Sequence, residues 1–543
     1  MGKSTPFGST DPYRDVEVRI DVRLAEDTIG SAIDTAMTNT IIEKDSVSNE
    51  DSHDQRDMVR LGKKQQVKRV FRTWSLLSFT CVVTSTWEYL MLGIDTGLTL
   101  GGRAGLFWSY IWTMICFAFL SASIAEMASM APTAGGQYHW VSEFAPKKYQ
   151  KSMSYITAWL SCLSWQAGNA YGNLLTGSMI ETIIQLYRPE YELLPWRSTL
   201  LVLPGTLAVM LFNIGGHKYL PVLQNVTMIV HIIGCMLCIV TIWVTAPHVR
   251  PTDVVFSWNN TSGYHSMFIV MMIGQNTAQS ALASTDSAAH MAEEVHDAGI
   301  TVPRAIMNAL WVNGTMGFLL LVTVLFSIPN LEEAAADPSG FSFFGVVRTA
   351  WSTVGFSYVL WIMTTLIFLG NIPFAASTAR LTFALARDGA LPFSKFFAKV
   401  DRRFHVPANA ILLSMSISAA MAFVNLGSKA AYSAVVSISA ACQMGCYCIS
   451  IGCLLWRRLT APETLPAARW SLGRWGALIN VVAILYALVI MFWVVWPQST
   501  PVTLDNFNFS APVTGAVICI CSLTYFFYGR RVYTSPVELV RKL

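Results

Sequence analysis

The sequence has 543 residues and a mass of 60.0 kDa, with 53% apolar residues, 13% charged residues and a mean hydropathy of +0.46. Soluble domains carry roughly 25% charged residues, so this share is too small to cover a globule of this size, and a soluble enzyme is disfavoured. The net charge of +4 gives no argument for nucleic-acid binding.

The charges are concentrated at the start of the chain. Residues 1–72 contain 25 of the 70 charged residues and few aromatic ones. This composition predicts a largely disordered tail at residues 1–72, a membrane domain at residues 73–530 and a short tail at residues 531–543. No apolar segment stands at the N-terminus, so we expect no cleavable signal peptide and expect the first span to direct insertion.

Beyond the tail, twelve apolar stretches are long enough to cross a bilayer. They centre on residues 76–98, 105–130, 151–186, 198–214, 219–246, 265–288, 304–328, 350–378, 406–425, 430–456, 473–496 and 511–528. The sequence therefore predicts an all-α integral membrane protein with twelve transmembrane helices. An even number of spans places both termini on one side.

The distribution of Lys and Arg predicts which side that is. If both termini are cytoplasmic, 31 of the 37 Lys and Arg residues lie on the cytoplasmic side, as the positive-inside rule requires. Three glycosylation sequons then fall on the outer side, at Asn259, Asn260 and Asn508.

Two spans contain runs of small and hydroxylated residues that weaken a helix. One run lies at residues 83–102 of the first span and the other at residues 274–286 of the sixth. The two spans start about 190 residues apart, and paired breaks of this kind are typical of a substrate site at the membrane midplane. The alternative is close helix packing through small residues.

Three ionisable residues inside the spans are functional candidates, because charge in hydrocarbon is costly. Glu88 is either a counter-ion for a substrate ammonium or a residue facing a water-filled vestibule. Asp286 is either a gating or proton-sensing carboxyl or a structural hydrogen-bond acceptor. His231 is either a packed core histidine or a proton-coupling group. Tyr171 and Asn371 are candidates for a pocket wall, against a role in helix–helix hydrogen bonding.

The sequence contains no motif that is typical of an enzyme. The 11 cysteines all fall in apolar runs, and none completes a metal-binding pattern. There is no nucleophile triad or phosphate-binding loop, so we expect neither enzymatic activity nor a cofactor.

Three ordered motifs resemble the amino acid–polyamine–organocation (APC) superfamily, especially its fungal amino acid/choline transporter branch. The first is residues 125–140, AEMASMAPTAGGQYHW. The second joins residues 286–295, DSAAHMAEEV, to residues 302–306, VPRAI. The third joins residues 387–394, RDGALPFS, to residues 406–410, VPANA. The resemblance covers about residues 70–530.

The resemblance implies a LeuT-like fold, in which the first ten spans form two inverted five-span repeats with broken first and sixth helices. It implies secondary active transport, commonly with proton symport. Substrates in the branch include choline, ethanolamine, γ-aminobutyrate and amino acids. His231 falls where many proton-coupled members carry a Lys. The substrate-binding candidates are Thr84, Ser85, Thr86, Trp87, Glu88, Gln279, Ser280, Thr285 and Asp286, and the proton-coupling candidates are His231 and Asp286.

Two positions depart from the family pattern. Ser280 stands where many relatives have an aromatic gate, and Glu88 follows Trp87 where choline carriers tend to be apolar or aromatic. A pocket with Glu88 and without that aromatic residue is expected to prefer a polar amine over a quaternary one.

The sequence therefore predicts a plasma-membrane permease for a small nitrogenous solute, coupled to protons and working by alternating access. Its partners are the solute, protons and the bilayer, with no nucleic acid. The alternative from another class is a nutrient sensor of transporter ancestry, and a membrane enzyme ranks last.

Overall fold

A computed structural model describes residues 49–541 except 64, 193, 336, 338, 425–428 and 504–505. The chain divides into two units, residues 1–56 and 57–543. Apart from the helix that begins at Asn49, the described elements lie in the second unit.

The described chain is predominantly helical. Its first helices are α1 (Asn49–Arg60), α2 (Thr73–Thr84), α3 (Thr86–Leu92), α4 (Ile94–Thr99), α5 (Gly102–Met130), α6 (Gln137–Phe144), α7 (Gln150–Tyr187), α8 (Pro195–Leu211), α9 (Leu220–Thr245), α10 (Pro251–Val255), α11 (Met267–Gly274), α12 (Asn276–Leu282) and α13 (Ser287–His290). The later ones are α14 (Ala298–Phe326), α15 (Leu331–Ala335), α16 (Ser342–Ala350), α17 (Thr353–Arg387), α18 (Ser394–Phe397), α19 (Ala408–Val424), α20 (Lys429–Thr460), α21 (Gly476–Trp493), α22 (Ser510–Thr524), α23 (Arg530–Val532) and α24 (Pro536–Arg541).

Short segments complete the secondary structure. A π-helical turn at Phe212–Gly216 and a 3₁₀ turn at His217–Tyr219 join α8 to α9, and a second π-helical turn covers Tyr525–Gly529. Further 3₁₀ turns lie at Ala292–Glu294, Pro462–Thr464 and Gly473–Trp475. Two strands, β1 (Leu100–Gly101) and β2 (Asn259–Asn260), pair antiparallel, with Leu100 opposite Asn260 and Gly101 opposite Asn259.

Several helices are long and apolar enough to cross a membrane, so the chain is a multi-pass membrane protein. Within the described residues there are seven such helical runs: Gly102–Met130, Trp196–Thr245, Ala298–Phe326, Val354–Arg387, Ser437–Thr460, Gly473–Trp493 and Ser510–Glu538. These seven runs overlap eight of the twelve predicted stretches, because two of the stretches share the run Trp196–Thr245. The count of twelve spans and the inverted repeat stay predictions.

The other four predicted stretches are also helical. Residues 151–186 lie in α7, which has 38 residues, and residues 406–425 correspond to the shorter helix α19. The stretches at residues 76–98 and 265–288 are each divided into several helices. Divisions in both stretches fall within the runs of small and hydroxylated residues at residues 83–102 and 274–286.

A serine in the left-handed conformation lies at each interruption. Ser85, between α2 and α3, has φ 39° and ψ 49°. Ser284, in the turn that follows α12, has φ 69°. Non-glycine residues adopt this conformation uncommonly, so each serine marks a position where the helix axis must end.

The exposure pattern of α9 is the reverse of that of a soluble helix. Ile229, Ile233 and Val240 are each more than half exposed, whereas Thr227 and His231 are buried. Apolar side chains outside and polar side chains inside are the arrangement that hydrocarbon solvent requires.

Residues near both ends of unit 57–543 contact its body. The backbone N–H groups of Val70 and Phe71 donate to the carbonyl of Glu294, and Phe71 is fully buried. Tyr533 is buried as well, with its hydroxyl 2.7 Å from that of Ser154. Contacts of Val70, Phe71 and Tyr533 thus tie both terminal segments to the body of unit 57–543, and the largely disordered tail at residues 1–72 stays a prediction. For residues 1–48 the prediction lies outside the described residues.

Candidate functional site

A cavity of about 280 Å³ lies where the two interrupted segments meet. The first segment contributes Val83, Thr84, Tyr89, Leu92, Gly93, Asp95 and Thr96, and the second contributes Ile273, Asn276, Thr277, Gln279, Ser280, Ala283 and Ser284. Helix α7 contributes Ser164, Trp165, Gly168, Tyr171 and Leu175. The remaining lining residues are Phe341, Phe374, Ser437, Ser439, Ala440, Gln443, Val494, Trp496, Gln498 and Asn508. We call this space the central cavity.

Of the candidates in the first segment, Thr84 alone lines the central cavity. Its hydroxyl donates to the carbonyl of Thr80 at 2.8 Å, and the hydroxyl of Ser85 donates to the carbonyl of Val82 at 2.6 Å. Thr86 is buried, and its hydroxyl has no hydrogen-bond partner among the described residues. Trp87 and Glu88 are also buried and are absent from the lining.

The second segment places Gln279 and Ser280 in the wall, whereas Thr285 and Asp286 lie outside the lining. Asp286 is buried and bound to its neighbours. Its carboxylate accepts from the amide of Gln137 at 2.6 Å and from that of Gln443 at 3.4 Å. Since Gln443 lines the cavity, Asp286 lies one hydrogen bond behind its wall.

Six of the described lining residues are aromatic: Tyr89, Trp165, Tyr171, Phe341, Phe374 and Trp496. Tyr89 and Tyr171 stack with their ring centroids 5.9 Å apart, and Trp165 contacts Phe374 with a centroid separation of 4.8 Å. The residue types alone could not identify Tyr89, Trp165 and Phe374 as wall residues, because the spans are rich in aromatic residues throughout. Ser280 therefore does not leave the cavity without aromatic surface.

Of the two pocket-wall candidates, Tyr171 lines the cavity and Asn371 does not. The Asn371 amide donates to the hydroxyl of Thr176 at 2.8 Å and to the carbonyl of Gly172 at 3.1 Å. Asn371 thus takes the helix–helix role, which the sequence had left open.

The described part of the cavity wall has an acidic side chain and no basic one. Among the described lining residues, Asp95 is the one that carries a carboxylate, and none is Lys, Arg or His. The carboxylate of Asp95 accepts hydrogen bonds from the backbone N–H of Ser342, at 2.8 Å, and from its hydroxyl. A ligand carboxylate in this cavity would therefore meet no basic side chain, while a ligand ammonium would meet aromatic faces and oxygen acceptors.

Behind the cavity wall, Glu88 and Trp87 reach across to His231 on α9. The Oε1 atom of Glu88 lies 2.7 Å from Nδ1 of His231, and Nε1 of Trp87 lies 3.1 Å from the same nitrogen. On the other side of the ring, Nε2 lies 3.3 Å from Oδ1 of Asn313. All four side chains are buried, which makes this a polar network within the helix packing.

Ion pairs join the segments at one end of the molecule, which we name the closed end. It is formed by residues 57–63, 65–72, 131–144, 286–297, 380 and 387–388. Arg387 donates to both carboxylate oxygens of Glu293, at 2.8 and 2.7 Å. Arg380 binds Glu294 at 2.7 Å, and Nζ of Lys63 lies 4.0 Å from Asp388. Burial, followed by the nearby Arg387 guanidinium, lowers the pKa of Lys63.

The predicted sequons have different surroundings. The amide nitrogen of Asn508 donates to the carbonyl of Val494 at 2.9 Å, and that of Asn260 donates to the carbonyl of Tyr264 at 2.5 Å. Asn259 is paired in β2. Glycosylation at these positions stays a prediction. No group of His, Cys, Asp and Glu within the described residues has an arrangement that could hold a metal ion.

Comparisons with known proteins show the family of this chain. The sequence profile of the family described as amino acid permease matches residues 71–518. A protein of Macrophomina phaseolina, provisionally named an amino acid/polyamine transporter, is 28% identical over 443 residues, which cover 80% of this chain and 97% of the relative.

More distant relatives have different named activities. The amino-acid permease BAT1 homolog of Oryza sativa subsp. japonica is 26% identical, covering 88% of this chain and 94% of the relative. The choline transporter of Saccharomyces cerevisiae is 23% identical, covering 90% of this chain and 86% of the relative. Since the family profile spans most of the sequence, the chain belongs to the amino acid permease family of the APC superfamily.

Proposed function

We propose that this chain is a secondary active transporter that imports a small nitrogenous solute across the plasma membrane, coupled to protons. The observation that carries the proposal is the central cavity at the junction of two interrupted helices. Helix interruptions free backbone N–H and C=O groups for ligands, which continuous spans cannot do. A volume of about 280 Å³ is close to the lower end of the range for small-molecule pockets.

The arrangement supports alternating access. The central cavity extends towards residues 494–508 and Phe341, while none of its lining residues belongs to the closed end. If the termini are cytoplasmic, as the Lys and Arg distribution predicts, the cavity faces outwards and the ion pairs close the cytoplasmic side. Import then requires those ion pairs to separate as the outer side closes.

The proposed solute carries an amine. Aromatic walls and a single carboxylate favour a cationic nitrogen, and the named relatives include carriers of amino acids, polyamines and choline. A zwitterion is compatible with the same site, provided that its carboxylate binds freed backbone N–H groups at the interruptions.

Uptake of a labelled panel tests this function. The panel contains choline, ethanolamine, γ-aminobutyrate and amino acids, given to permease-deficient cells that express the full chain at several external pH values. We expect uptake of at least one member, increasing as the external pH falls. Absence of uptake for the whole panel would contradict the solute class. Uptake that does not respond to the proton gradient would contradict proton coupling.

A glycine in the cavity wall provides a structural test. A Cβ atom at Gly168 would lie 2.7 Å from the Phe374 ring and 3.4 Å from the Ser439 hydroxyl, so Gly168→Ala must displace the ring. We expect uptake by Gly168→Ala to fall about tenfold or more, because the aromatic wall moves. Gly205→Ala is the matched control, since nothing lies within 4 Å of its Cβ. Equal uptake by both variants would show that the cavity is not the transport site.

A further inference from the structure

The network around His231 has a defined hydrogen-bond order. The amide nitrogen of Asn313 donates to the carbonyl of Cys81 at 2.8 Å, which turns its oxygen towards Nε2 of His231. An amide oxygen only accepts hydrogen bonds, so Nε2 must carry a proton. The ring is therefore neutral if Nδ1 carries no proton and cationic if it carries one.

Two groups compete for Nδ1. The indole N–H of Trp87 can only donate, and it lies 3.1 Å away, whereas Oε1 of Glu88 lies 2.7 Å away. A carboxylate at that distance from a bare nitrogen lone pair is repelled. The contact therefore requires one proton between Glu88 and His231, either on the carboxyl or on Nδ1.

Removal of this proton would leave an unfavourable arrangement. With the proton present, Glu88 and His231 together have no net charge. Without it, a carboxylate remains in a site where Glu88 is 0% exposed and its Oε2 has no hydrogen-bond partner among the described residues. A buried charge without a partner costs several kcal/mol, so the pair cannot lose its proton in this conformation without a rearrangement.

We propose that Glu88 and His231 together bind the single transported proton, and that Glu88 is a coupling residue and not a ligand of the solute. This inference rests on the proposed function, since it assumes proton symport. The proton enters between Glu88 and Nδ1 while the cavity faces outwards. It leaves to cytoplasmic water once the inward-facing conformation hydrates the pair. The pair then returns as carboxylate and neutral imidazole, and the indole N–H of Trp87 becomes the donor to Nδ1.

Among the described residues, the side chains around Glu88 and His231 are ordinarily neutral. Within the described part of the chain, the other titratable side chains that interact electrostatically with Glu88 are Tyr89, Cys235 and Cys238. Phenol and thiol groups are ordinarily neutral at physiological pH, so they do not compensate the charge of Glu88. The partners of His231 on α14 and α3 are Asn313 and Trp87, neither of which titrates.

Helix α3 links the proton to the solute. Trp87 and Glu88 face His231, while the next residue, Tyr89, lines the central cavity and stacks on Tyr171. A rearrangement that follows proton loss would move this seven-residue helix and its cavity wall together. The proton site and the solute site are thus separate but mechanically connected.

The test uses the purified full-length chain in liposomes, with the best-transported member of the labelled panel as the probe. At zero membrane potential and a pH gradient of about one unit, one proton per solute limits accumulation to about tenfold. We expect solute accumulation by the wild type to approach this limit. For Glu88→Gln we expect an accumulation ratio of about one, which means no net accumulation. We also expect Glu88→Gln to retain exchange of labelled for unlabelled solute, with a KM within about twofold of the wild type.

Further variants separate the possible outcomes. His231→Asn removes the imidazole that shares the proton with Glu88. It replaces Glu88→Gln in the test if that variant does not fold. The double variant should resemble either single variant, because one site is lost. Glu181→Gln replaces another buried carboxyl, bound to Tyr191, and should retain the gradient response.

Three results would contradict one proposal or the other. Loss of exchange together with accumulation in folded Glu88→Gln would show that Glu88 binds the solute, and full accumulation by Glu88→Gln would show that it is not needed for coupling. Either result overturns the inference and leaves the proposed transport intact. No gradient-driven accumulation by the wild type would instead overturn the proton coupling on which the inference depends.

Discussion

At the scale of single residues, Glu293 shows how the closed end retains a buried charge. It is 3% exposed and receives two hydrogen bonds from Arg387. Burial by itself would raise its pKa, but the Arg387 guanidinium, and more weakly the Lys63 ammonium, lower the pKa to about 2. The carboxylate therefore stays ionised at every physiological pH.

This low pKa predicts a dependence of stability on acid. Unfolded glutamate has a pKa of about 4.3, so Glu293 contributes stability that is fully present above about pH 4.3 and is lost as the pH falls towards 2. We expect Glu293→Gln to cost about 3–5 kcal/mol at neutral pH, because Arg387 loses its partner, and to reduce the acid sensitivity. Unfolding in detergent at several pH values measures both effects.

An exposed carboxylate provides the control for that measurement. Glu463→Gln should change the free energy of unfolding by less than about 0.5 kcal/mol. Equal effects of the two substitutions would show that the Glu293–Arg387 pair does not stabilise the fold.

At the scale of secondary-structure elements, the two left-handed serines determine where helices end. Ser85 separates α2 from α3, and Ser284 lies in the turn after α12 and in the cavity wall. An L-residue in this conformation costs roughly 1–2 kcal/mol, and β-branched residues are the least tolerant of it. The interruptions are thus conformations that the packing imposes on ordinary residues.

Substitution of these serines should reveal that strain. We expect Ser85→Val and Ser284→Val to destabilise the protein by about 1–3 kcal/mol and to abolish uptake, whereas Ser85→Gly and Ser284→Gly keep uptake because glycine tolerates positive φ. Thermal unfolding and uptake measure the difference. Ser280→Val is the stability control, since Ser280 is exposed within α12 and does not have a positive φ. Glycine variants that are less stable than the valine variants would refute the explanation.

At the scale of the whole molecule, one end of unit 57–543 is closed by ion pairs and the cavity extends towards the other. Arg60 binds Glu143 at 2.9 Å, and Lys63 lies beside Asp388, so the segment before the first span takes part in the closure. This asymmetry predicts that a reagent can enter from one side of the membrane only.

Cysteine labelling measures that asymmetry. Ser280 is exposed in the cavity, whereas Ser287, seven positions further along the same segment, is fully buried. We expect a membrane-impermeant thiol reagent added outside cells to block uptake by Ser280→Cys at least tenfold faster than by Ser287→Cys, since burial excludes the reagent. The wild-type chain, which has 11 cysteines of its own, is the control for reaction of the reagent with native cysteines. Faster modification of Ser287→Cys, or labelling of Ser280→Cys from the cytoplasmic side alone, would contradict the outward-facing arrangement.

The sequence by itself determined the class of this protein and the positions of its helix interruptions. Apolar run length, Lys and Arg counts, and clusters of small and hydroxylated residues are local properties, and hydrocarbon solvent leaves few backbone structures compatible with them. The tertiary structure decided which polar residues meet. Glu88 lies 143 residues from His231, and their contact depends on the rotation of two helices about their axes. That rotation is fixed by long-range packing, which no local pattern encodes, and it turned Glu88 away from the central cavity and towards His231.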